Sequence, residues 1–178
     1  MQNIFLIGYM GAGKTTIGKE IAMRLDWQFI DMDLFIESRY HKKVPSLFAE
    51  KGEETFRDIE RNVLQEIAQF ENTVIATGGG VPCFFDNMDV MNRTGITVYL
   101  KTPVSELVQR LLVCKQERPL IKDKNEEELT WYIAGHLDKR ETWYNRAALV
   151  FPVEQIHTRQ DLVTITEKLI NQINEKQT

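Results

Sequence analysis

Eight consecutive residues, Gly8-Tyr9-Met10-Gly11-Ala12-Gly13-Lys14-Thr15, have the Gly-x-x-x-x-Gly-Lys-Thr spacing of a phosphate-binding loop. An apolar run of strand length, Asn3 to Ile7, precedes them, and apolar residues at helical spacing continue from Lys14 to Leu25. The sequence therefore predicts a buried strand, a tight loop and a helix in direct succession. The alternative is a glycine-rich turn that carries an exposed lysine and binds no phosphate.

The predicted loop has the chemistry to hold a nucleoside triphosphate. Its glycines allow backbone conformations in which successive N–H groups converge on an anion. The helix N-terminus adds free N–H groups and partial positive charge. Lys14 would reach the β- and γ-phosphates, and the hydroxyl of Thr15 would hold Mg²⁺.

Further short apolar runs alternate with helical segments along the chain. They predict strands at 27–31, 73–76, 96–100 and 148–151. The longer helices are predicted at 53–70, 126–144 and 158–174, with a shorter helical piece before Gly52. This alternation favours an α/β fold with a parallel sheet and helices on both faces, in which ligands bind beyond the carboxyl ends of the strands.

Length and composition favour one soluble domain, 1–178. The net charge of −4 argues against a nucleic-acid-binding surface, because phosphate-backbone binding needs a basic excess. No apolar run approaches membrane-spanning length, and no signal-peptide pattern opens the chain. The two cysteines, Cys83 and Cys114, have no metal-ligand spacing. We therefore expect a cytoplasmic monomer without a membrane or nucleic-acid partner.

Two carboxylates follow the second predicted strand. Asp31 and Asp33 are two residues apart, so in an extended backbone their side chains would point to the same side. One could then support a metal ion or its waters while the other faces the hydroxyl of an acceptor molecule. The alternative is a helix capped by Asp33 with Asp31 in solvent.

The third predicted strand argues against a general nucleotide-hydrolysing protein. Such a protein holds Mg²⁺ with an Asp at the end of an apolar strand, whereas the strand at 73–76 is followed by Thr77-Gly78-Gly79-Gly80. The Asn/Thr-Lys-x-Asp element that reads guanine is also absent from the sequence, which weakens a GTPase interpretation. A small kinase remains. Its glycine run could present a backbone N–H to the acceptor or could form only a plain turn.

Arginines on separate predicted helices are candidates for an anion clamp. Arg57 and Arg140 could each grip a planar carboxylate through two parallel hydrogen bonds, which lysine cannot do. The alternative for Arg57 is ion pairing with the glutamates at positions 53, 54 and 60 of its own helix. Arg118 lies in a polar segment, interrupted by proline, that we predict to be a mobile loop. There it could fold over the phosphates or remain a solvated charge.

Short motifs in a fixed order show which family the chain resembles. They extend over nearly its whole length and comprise residues 8–16, Phe29-Ile30-Asp31-Met32-Asp33, Phe56-Arg57-Asp58-Ile59-Glu60, Thr77-Gly78-Gly79-Gly80, Arg118-Pro119-Leu120 and Lys139-Arg140. In these motifs the chain resembles the shikimate kinases. The resemblance implies a P-loop NTPase fold of the nucleoside monophosphate kinase type, with a five-stranded parallel sheet. It also implies transfer of the γ-phosphoryl group of ATP to the 3-hydroxyl of shikimate, which gives shikimate 3-phosphate in aromatic amino acid biosynthesis.

The same resemblance implies roles for the acceptor-side residues. Asp33 would contact the hydroxyl groups of shikimate and act as base or orienting group. Arg57 and Arg140 would hold the shikimate carboxylate, and Gly79 would donate its backbone N–H. The substrate-binding segment would span about 33–60.

On the nucleotide side, the resemblance implies that ATP contacts Gly11, Ala12, Gly13, Lys14, Thr15 and Thr16. Lys14 and Arg118 would stabilise the transferred phosphoryl group, and Arg118 would belong to a mobile lid at about 113–125. Arg110 would flank adenine. Thr15 and Asp31 would serve Mg²⁺.

Two other interpretations stay open at this point. A kinase of the same fold could act on another small acceptor, such as gluconate or a nucleoside monophosphate. A nucleotide-dependent sensor could bind without catalysis, although the presence of Lys14, Asp33 and Arg118 together argues against it.

Overall fold

The computed structural model describes residues 3–113, 121, 123–153 and 155–177. The predicted lid at about 113–125, with Arg118, therefore lies largely outside the described residues.

The described residues form a five-stranded parallel sheet, which confirms the predicted fold class. Its strands, in spatial order, are β2 (Gln28–Asp31), β3 (Thr73–Ala76), β1 (Asn3–Ile7), β4 (Gly95–Lys101) and β5 (Leu149–Pro152). Every neighbouring pair is parallel. All residues of β1 and β3 are buried, as expected for central strands of a parallel sheet that is covered on both faces.

Helices connect the strands and cover the sheet. In chain order they are α1 (Lys14–Leu25), α2 (Met32–Tyr40), α3 (Val44–Ile67), α4 (Asn87–Thr94), α5 (Val104–Val113), α6 (Glu126–Tyr144) and α7 (Arg159–Gln177). The crossover through α1 runs towards β2, whereas those after β3 and β4 run the opposite way across the sheet. Right-handed crossovers in opposite directions place their helices on opposite faces. No helix in the described part of the chain is both long and apolar enough to cross a bilayer.

The strand connections reverse direction between β1 and β3. At such a switch point the carboxyl ends of adjacent strands open a crevice that can hold a ligand. The phosphate loop follows β1, and the glycine run follows β3. Because β1 and β3 are paired, with Leu6 beside Ala76, these two segments leave the sheet side by side.

Helix α3 is divided at Gly52. The φ and ψ angles of this residue are 77° and 167°, which are not helical. The predicted short helical piece therefore precedes Gly52, and the longer helix that carries Arg57 follows it. A methyl group at Gly52 would have no atom within 4 Å, so the backbone angle alone explains the need for glycine.

Helix α6 starts with a capping box formed by Asn125 and Glu128. The Asn125 side chain accepts from the Glu128 N–H at 2.8 Å, and the Glu128 carboxylate accepts from the Asn125 N–H at 2.9 Å. Three apolar residues at four-residue spacing, Leu129, Ile133 and Leu137, are buried. A second set with the same spacing, His136, Arg140 and Tyr144, forms an adjacent stripe on this helix.

Candidate active site

The phosphate loop joins β1 to α1. Gly8, Gly11 and Gly13 have φ angles of 141°, 82° and 94°, which side chains disfavour. No described side chain caps the N-terminus of α1, so its first-turn N–H groups are available to an anion. The Lys14 ammonium donates to the carbonyls of Gly8 and Tyr9 at 2.8 and 2.9 Å. These contacts hold the lysine across the loop.

A cleft of about 610 Å³ opens beside this loop. This volume is within the usual range for a small-molecule site. The candidates from the sequence that line it are Gly11, Gly13, Lys14, Thr15, Thr16, Asp31, Asp33, Gly79 and Arg110. Ala12 is buried within the loop. Arg57 and Arg140 lie against the glycine run after β3, which forms one wall.

Thr15 and Asp31 meet at the base of the cleft. The Thr15 hydroxyl donates to Asp31 Oδ2 at 2.7 Å. This pair joins the start of α1 to the end of β2 and presents two oxygen-bearing side chains beside the loop. Within the described residues there is no cluster of three or more His, Cys, Asp or Glu side chains that could enclose a metal ion. The pair fits Mg²⁺, which is usually held by one or two carboxylates together with substrate phosphates.

The predicted geometry of Asp31 and Asp33 is wrong. Asp31 ends β2 and caps α2, because its Oδ1 accepts from the N–H groups of Asp33 and Leu34 at 3.1 and 3.3 Å. Asp33 is therefore already in the first turn of α2, not in an extended strand. The capping residue is also Asp31, not Asp33 as the alternative interpretation had it. Asp33 nevertheless lines the cleft.

Two carboxylates flank Gly78. A methyl group at Gly78 would lie 3.0 Å from Asp33 Oδ1 and 3.0 Å from Glu60 Oε1. Asp33 is exposed, whereas Glu60 is buried. The glycine therefore allows an exposed and a buried acid to approach the same point of the backbone.

Arg57 is held by acids and aromatic rings. Its Nη1 donates to Glu60 at 2.7 Å, and its Nη2 donates to Glu53 at 3.2 Å, so ion pairing on its own helix does occur. Its guanidinium carbon lies 4.2 Å from the ring centroid of Phe84. A methyl group at Gly80 would lie 2.7 Å from Arg57 Nη1, so the guanidinium packs directly on the turn.

Arg140, on α6, packs against the same turn as Arg57. A methyl group at Gly79 would lie 3.4 Å from Arg140 Nη1. The Arg140 guanidinium also lies 5.5 Å from the ring centroid of Tyr9, a residue of the phosphate loop. The two arginines, 83 positions apart in the sequence, thus lie against consecutive glycines.

Burial and neighbouring charges shift the ionisation of Glu60. Burial raises the pKa of Glu60 to about 7, against the lowering effect of Arg57. The charge of Asp33 raises this pKa further, and Arg140 lowers it. A buried carboxyl group that titrates near neutral pH therefore lies within the electrostatic range of both arginines and Asp33.

Arg110 contacts the phosphate loop from α5. Its Nη1 donates to the carbonyl of Gly11 at 3.1 Å, and its Nε donates to Glu106 at 2.9 Å. Ile156 adds an apolar wall to the same cleft. The assignment of Arg110 to adenine stays a prediction.

Comparison with known protein families shows which family this chain matches. A family model described as shikimate kinase matches residues 10–174. The chain belongs to the shikimate kinase family. Members of this family are P-loop NTPases of the nucleoside monophosphate kinase type, and they are phosphotransferases with an alcohol group as acceptor.

Individual relatives agree with the family match. The shikimate kinase of Parabacteroides distasonis is 53% identical over 170 residues, covering 96% of this chain and 98% of the relative. The crystal structure of the Bacteroides thetaiotaomicron shikimate kinase has a TM-score of 0.94 at 47% identity, covering 97% and 98% of the two chains. The Acinetobacter baumannii shikimate kinase, solved in complex with shikimate, has a TM-score of 0.85 at 33% identity over 98% and 94%.

For three residues in or near the family motifs, the sequence does not reveal the structural environment. The helical spacing identifies Glu60 only as an ion-pair partner of Arg57, and nothing in the sequence reveals that Glu60 is buried. The sequence pattern identifies Tyr144 only as the end of a helix, although its spacing of four from Arg140 is a usable signal. His136 belongs to no motif of the sequence, yet its Nδ1 lies 3.2 Å from the Tyr9 hydroxyl in the phosphate loop.

Proposed function

We propose that this chain transfers the γ-phosphoryl group of ATP to the 3-hydroxyl of shikimate. The observation that carries the proposal is the position of two arginines against consecutive glycines of one turn, on the edge of the sheet that also carries the phosphate loop. Two guanidinium groups suit a carboxylate. Shikimate offers one carboxylate and three hydroxyl groups, so it can be gripped at one end and phosphorylated at the other.

The acceptor is bound by the segment at about 33–60 together with the glycine turn and α6. Arg57 and Arg140 hold its carboxylate, and the Gly79 N–H donates to it. Asp33, exposed in the cleft, orients the 3-hydroxyl and accepts its proton as the oxygen attacks the γ-phosphorus. The bond between that phosphorus and the β,γ-bridging oxygen breaks, and ADP leaves.

The nucleotide is bound by residues Gly11 to Thr16 and by Arg110 beside adenine. Lys14 stabilises the negative charge of the transferred group, with Arg118 from the lid at about 113–125. Thr15 and Asp31 would hold Mg²⁺, which would neutralise part of the phosphate charge. Positioning and charge stabilisation supply most of the rate in such transfers.

We also propose that the chain acts as one domain, 1–178, and as a monomer in the cytoplasm, without nucleic acid or a membrane as partner. The net charge of −4 supports the part of this proposal that concerns nucleic acid. Size-exclusion chromatography with light scattering, with and without ATP and shikimate, tests the monomer.

A coupled assay of ADP release with ATP, Mg²⁺ and a panel of acceptors tests the reaction. We expect ADP in equal amount to the shikimate consumed, with gluconate and nucleoside monophosphates inert. Phosphorylation of either alternative acceptor with shikimate inert would reject the proposal, and nucleotide binding without turnover on any acceptor would favour a sensor. Unchanged turnover in Asp33→Ala would reject the role of Asp33.

A further inference from the structure

The glycine run after β3 forms a tight turn. The Val81 N–H donates to the carbonyl of Gly78 at 3.1 Å, so Gly79 and Gly80 are its two central residues. Gly80 has φ −86° and ψ −23°, and no glycine of the run has a positive φ. The hydrogen bond, the angles of Gly80 and the negative φ of Gly79 together fit a type I turn and not a type II turn.

The sequence of this turn does not by itself select type I. A type II turn differs by a flip of the central peptide, here Gly79–Gly80, and needs a positive φ at the second central residue. Glycine at that position accepts either sign of φ. The flip reverses the peptide, so the Gly79 carbonyl and the Gly80 N–H exchange directions. A contact outside the turn can therefore select its form.

Tyr144 supplies such a contact from α6. Its hydroxyl donates to the Gly79 carbonyl at 2.6 Å, and its side chain is fully buried. The ring packs on Tyr99 with 5.0 Å between centroids. Burial raises the pKa of Tyr144 to about 12, so the hydroxyl remains a donor throughout the neutral range. The flipped turn would lose this hydrogen bond, because its carbonyl would point away from Tyr144.

The peptide held by Tyr144 lies between the two clamp arginines. Arg140 packs on Gly79 and Arg57 packs on Gly80. A flip would reverse a peptide dipole beside both guanidinium groups, and a bound carboxylate is sensitive to which end of that dipole faces it.

We propose that Tyr144 is a positioning residue of the acceptor site: its hydroxyl keeps the Gly79–Gly80 peptide in the orientation that favours binding of an acceptor carboxylate between Arg57 and Arg140. This inference rests on the proposed function, since it assumes that an acid binds there. Tyr144 itself touches no reacting atom.

The substitution Tyr144→Phe tests the inference, because it removes the hydroxyl, with its contacts to the Gly79 carbonyl and to Arg140, and keeps the ring. We expect the Kd for shikimate, measured by calorimetry, to rise roughly fivefold to tenfold, the usual effect of one lost hydrogen bond. The Kd for ADP with Mg²⁺ should not change. Tyr99→Phe is the matched control: its hydroxyl lies in the same cluster but donates to Glu141 at 3.3 Å, so shikimate affinity should stay at the wild-type value.

Glycine-selective ¹⁵N spectra give a second measurement that a loss of packing alone would not reproduce. We expect single sharp amide signals for Gly79 and Gly80 in the wild-type protein and in Tyr99→Phe, and broadened or doubled signals in Tyr144→Phe. Thermal unfolding of each variant verifies that it is folded at the temperature of the measurements.

The outcomes separate the two proposals. Wild-type protein that does not bind shikimate rejects the proposed function and this inference with it. Wild-type binding together with equally tight binding by Tyr144→Phe rejects the role of Tyr144 alone. Equal weakening of shikimate and ADP binding would also overturn it, because that result indicates a general structural effect.

Discussion

The proposed nucleotide half of the cleft centres on one continuous segment, the phosphate loop, whereas the proposed acceptor half collects its residues from separate elements. The phosphate loop is largely backbone, shaped by glycines with positive φ at the end of a buried strand. The proposed acceptor site combines side chains from α2, α3 and α6 with the turn after β3. A site made of backbone depends on local angles, but a site made of side chains depends on packing and on buried charge.

The largest expected effect comes from the nucleotide half. Lys14→Met should lower kcat roughly 10²- to 10³-fold, the loss found when one charge-stabilising donor is removed. Shikimate affinity should stay unchanged, because the Lys14 ammonium donates to carbonyls of the phosphate loop and lies in the proposed nucleotide half. The ADP-release assay gives kcat, and calorimetry gives the shikimate Kd.

Lys19→Met is the control for Lys14, because Lys19 is an exposed lysine of the same helix. It should retain wild-type kcat. A shikimate Kd that rises as steeply as kcat falls in Lys14→Met would show that the two halves are not independent.

The second-largest effect is expected in the proposed acceptor half, for a substitution of Arg57. Arg57→Lys keeps the charge but loses the fork that binds a carboxylate through two hydrogen bonds. We expect the KM for shikimate to rise roughly tenfold to hundredfold, equivalent to about 1.5–3 kcal/mol, with the KM for ATP unchanged.

Arg61→Lys is the matched control for Arg57. Arg61 is one helical turn further along α3 and makes similar contacts, with Asp86 at 2.9 Å and with the Phe85 ring, away from the glycine turn. Its KM for shikimate should equal that of the wild type. An equal rise in both variants would assign the effect to α3 as a whole.

A smaller effect concerns the backbone of α3. Gly52→Ala places a side chain at φ 77°, so the free energy of unfolding should fall by about 1 kcal/mol or more. Urea denaturation measures this change. Gly135→Ala is the control, since Gly135 lies within α6 without neighbours near the new methyl group, and it should stabilise by roughly 0.5–1 kcal/mol. Stabilisation by both substitutions would contradict the role of the backbone angle at Gly52.

The smallest expected effect is the uptake of a fraction of a proton when shikimate binds. Burial raises the pKa of Glu60 to about 7, so near neutral pH this carboxyl group is partly protonated. An acceptor carboxylate would add negative charge and engage Arg57, and both changes raise the pKa of Glu60 further. Shikimate binding at pH 7 should therefore take up roughly half a proton or less. Calorimetry in two buffers with different ionisation enthalpies measures this uptake.

Glu60→Gln should abolish the uptake, whereas Glu66→Gln, an exposed glutamate of the same helix paired with Arg39, should not affect it. Proton release on binding would contradict the electrostatic account of the acceptor half.

The same contrast explains what the sequence could predict. The phosphate loop, its flanking strand and α1 were predictable because glycine spacing and apolar periodicity are local signals, and the bounds of β1 and α1 agree with the prediction. The parallel sheet followed from the alternation of strands and helices.

The acceptor half was less predictable from the residues alone. The spacing of Asp31 and Asp33 predicts an extended backbone, but the Asp31 carboxylate caps a helix that begins at the next residue. The environment of Glu60 depends on segments far away in the sequence, and so does the contact between Tyr144 and Gly79. Family motifs indicated Arg57 and Arg140, whereas their packing on consecutive glycines required the three-dimensional structure.

The two hydrogen-bonding roles of the Asp31 carboxylate limit which substitutions this position can accept. One of its oxygens caps the start of α2, and the other accepts a hydrogen bond from the Thr15 hydroxyl. In the proposed function, a substitution of Asp31 that alters cation binding would also remove the side-chain cap of the helix that carries Asp33. With these proposed roles, changes in metal binding and in acceptor binding would be coupled through this one residue, and a designer would need compensating changes on both sides of it.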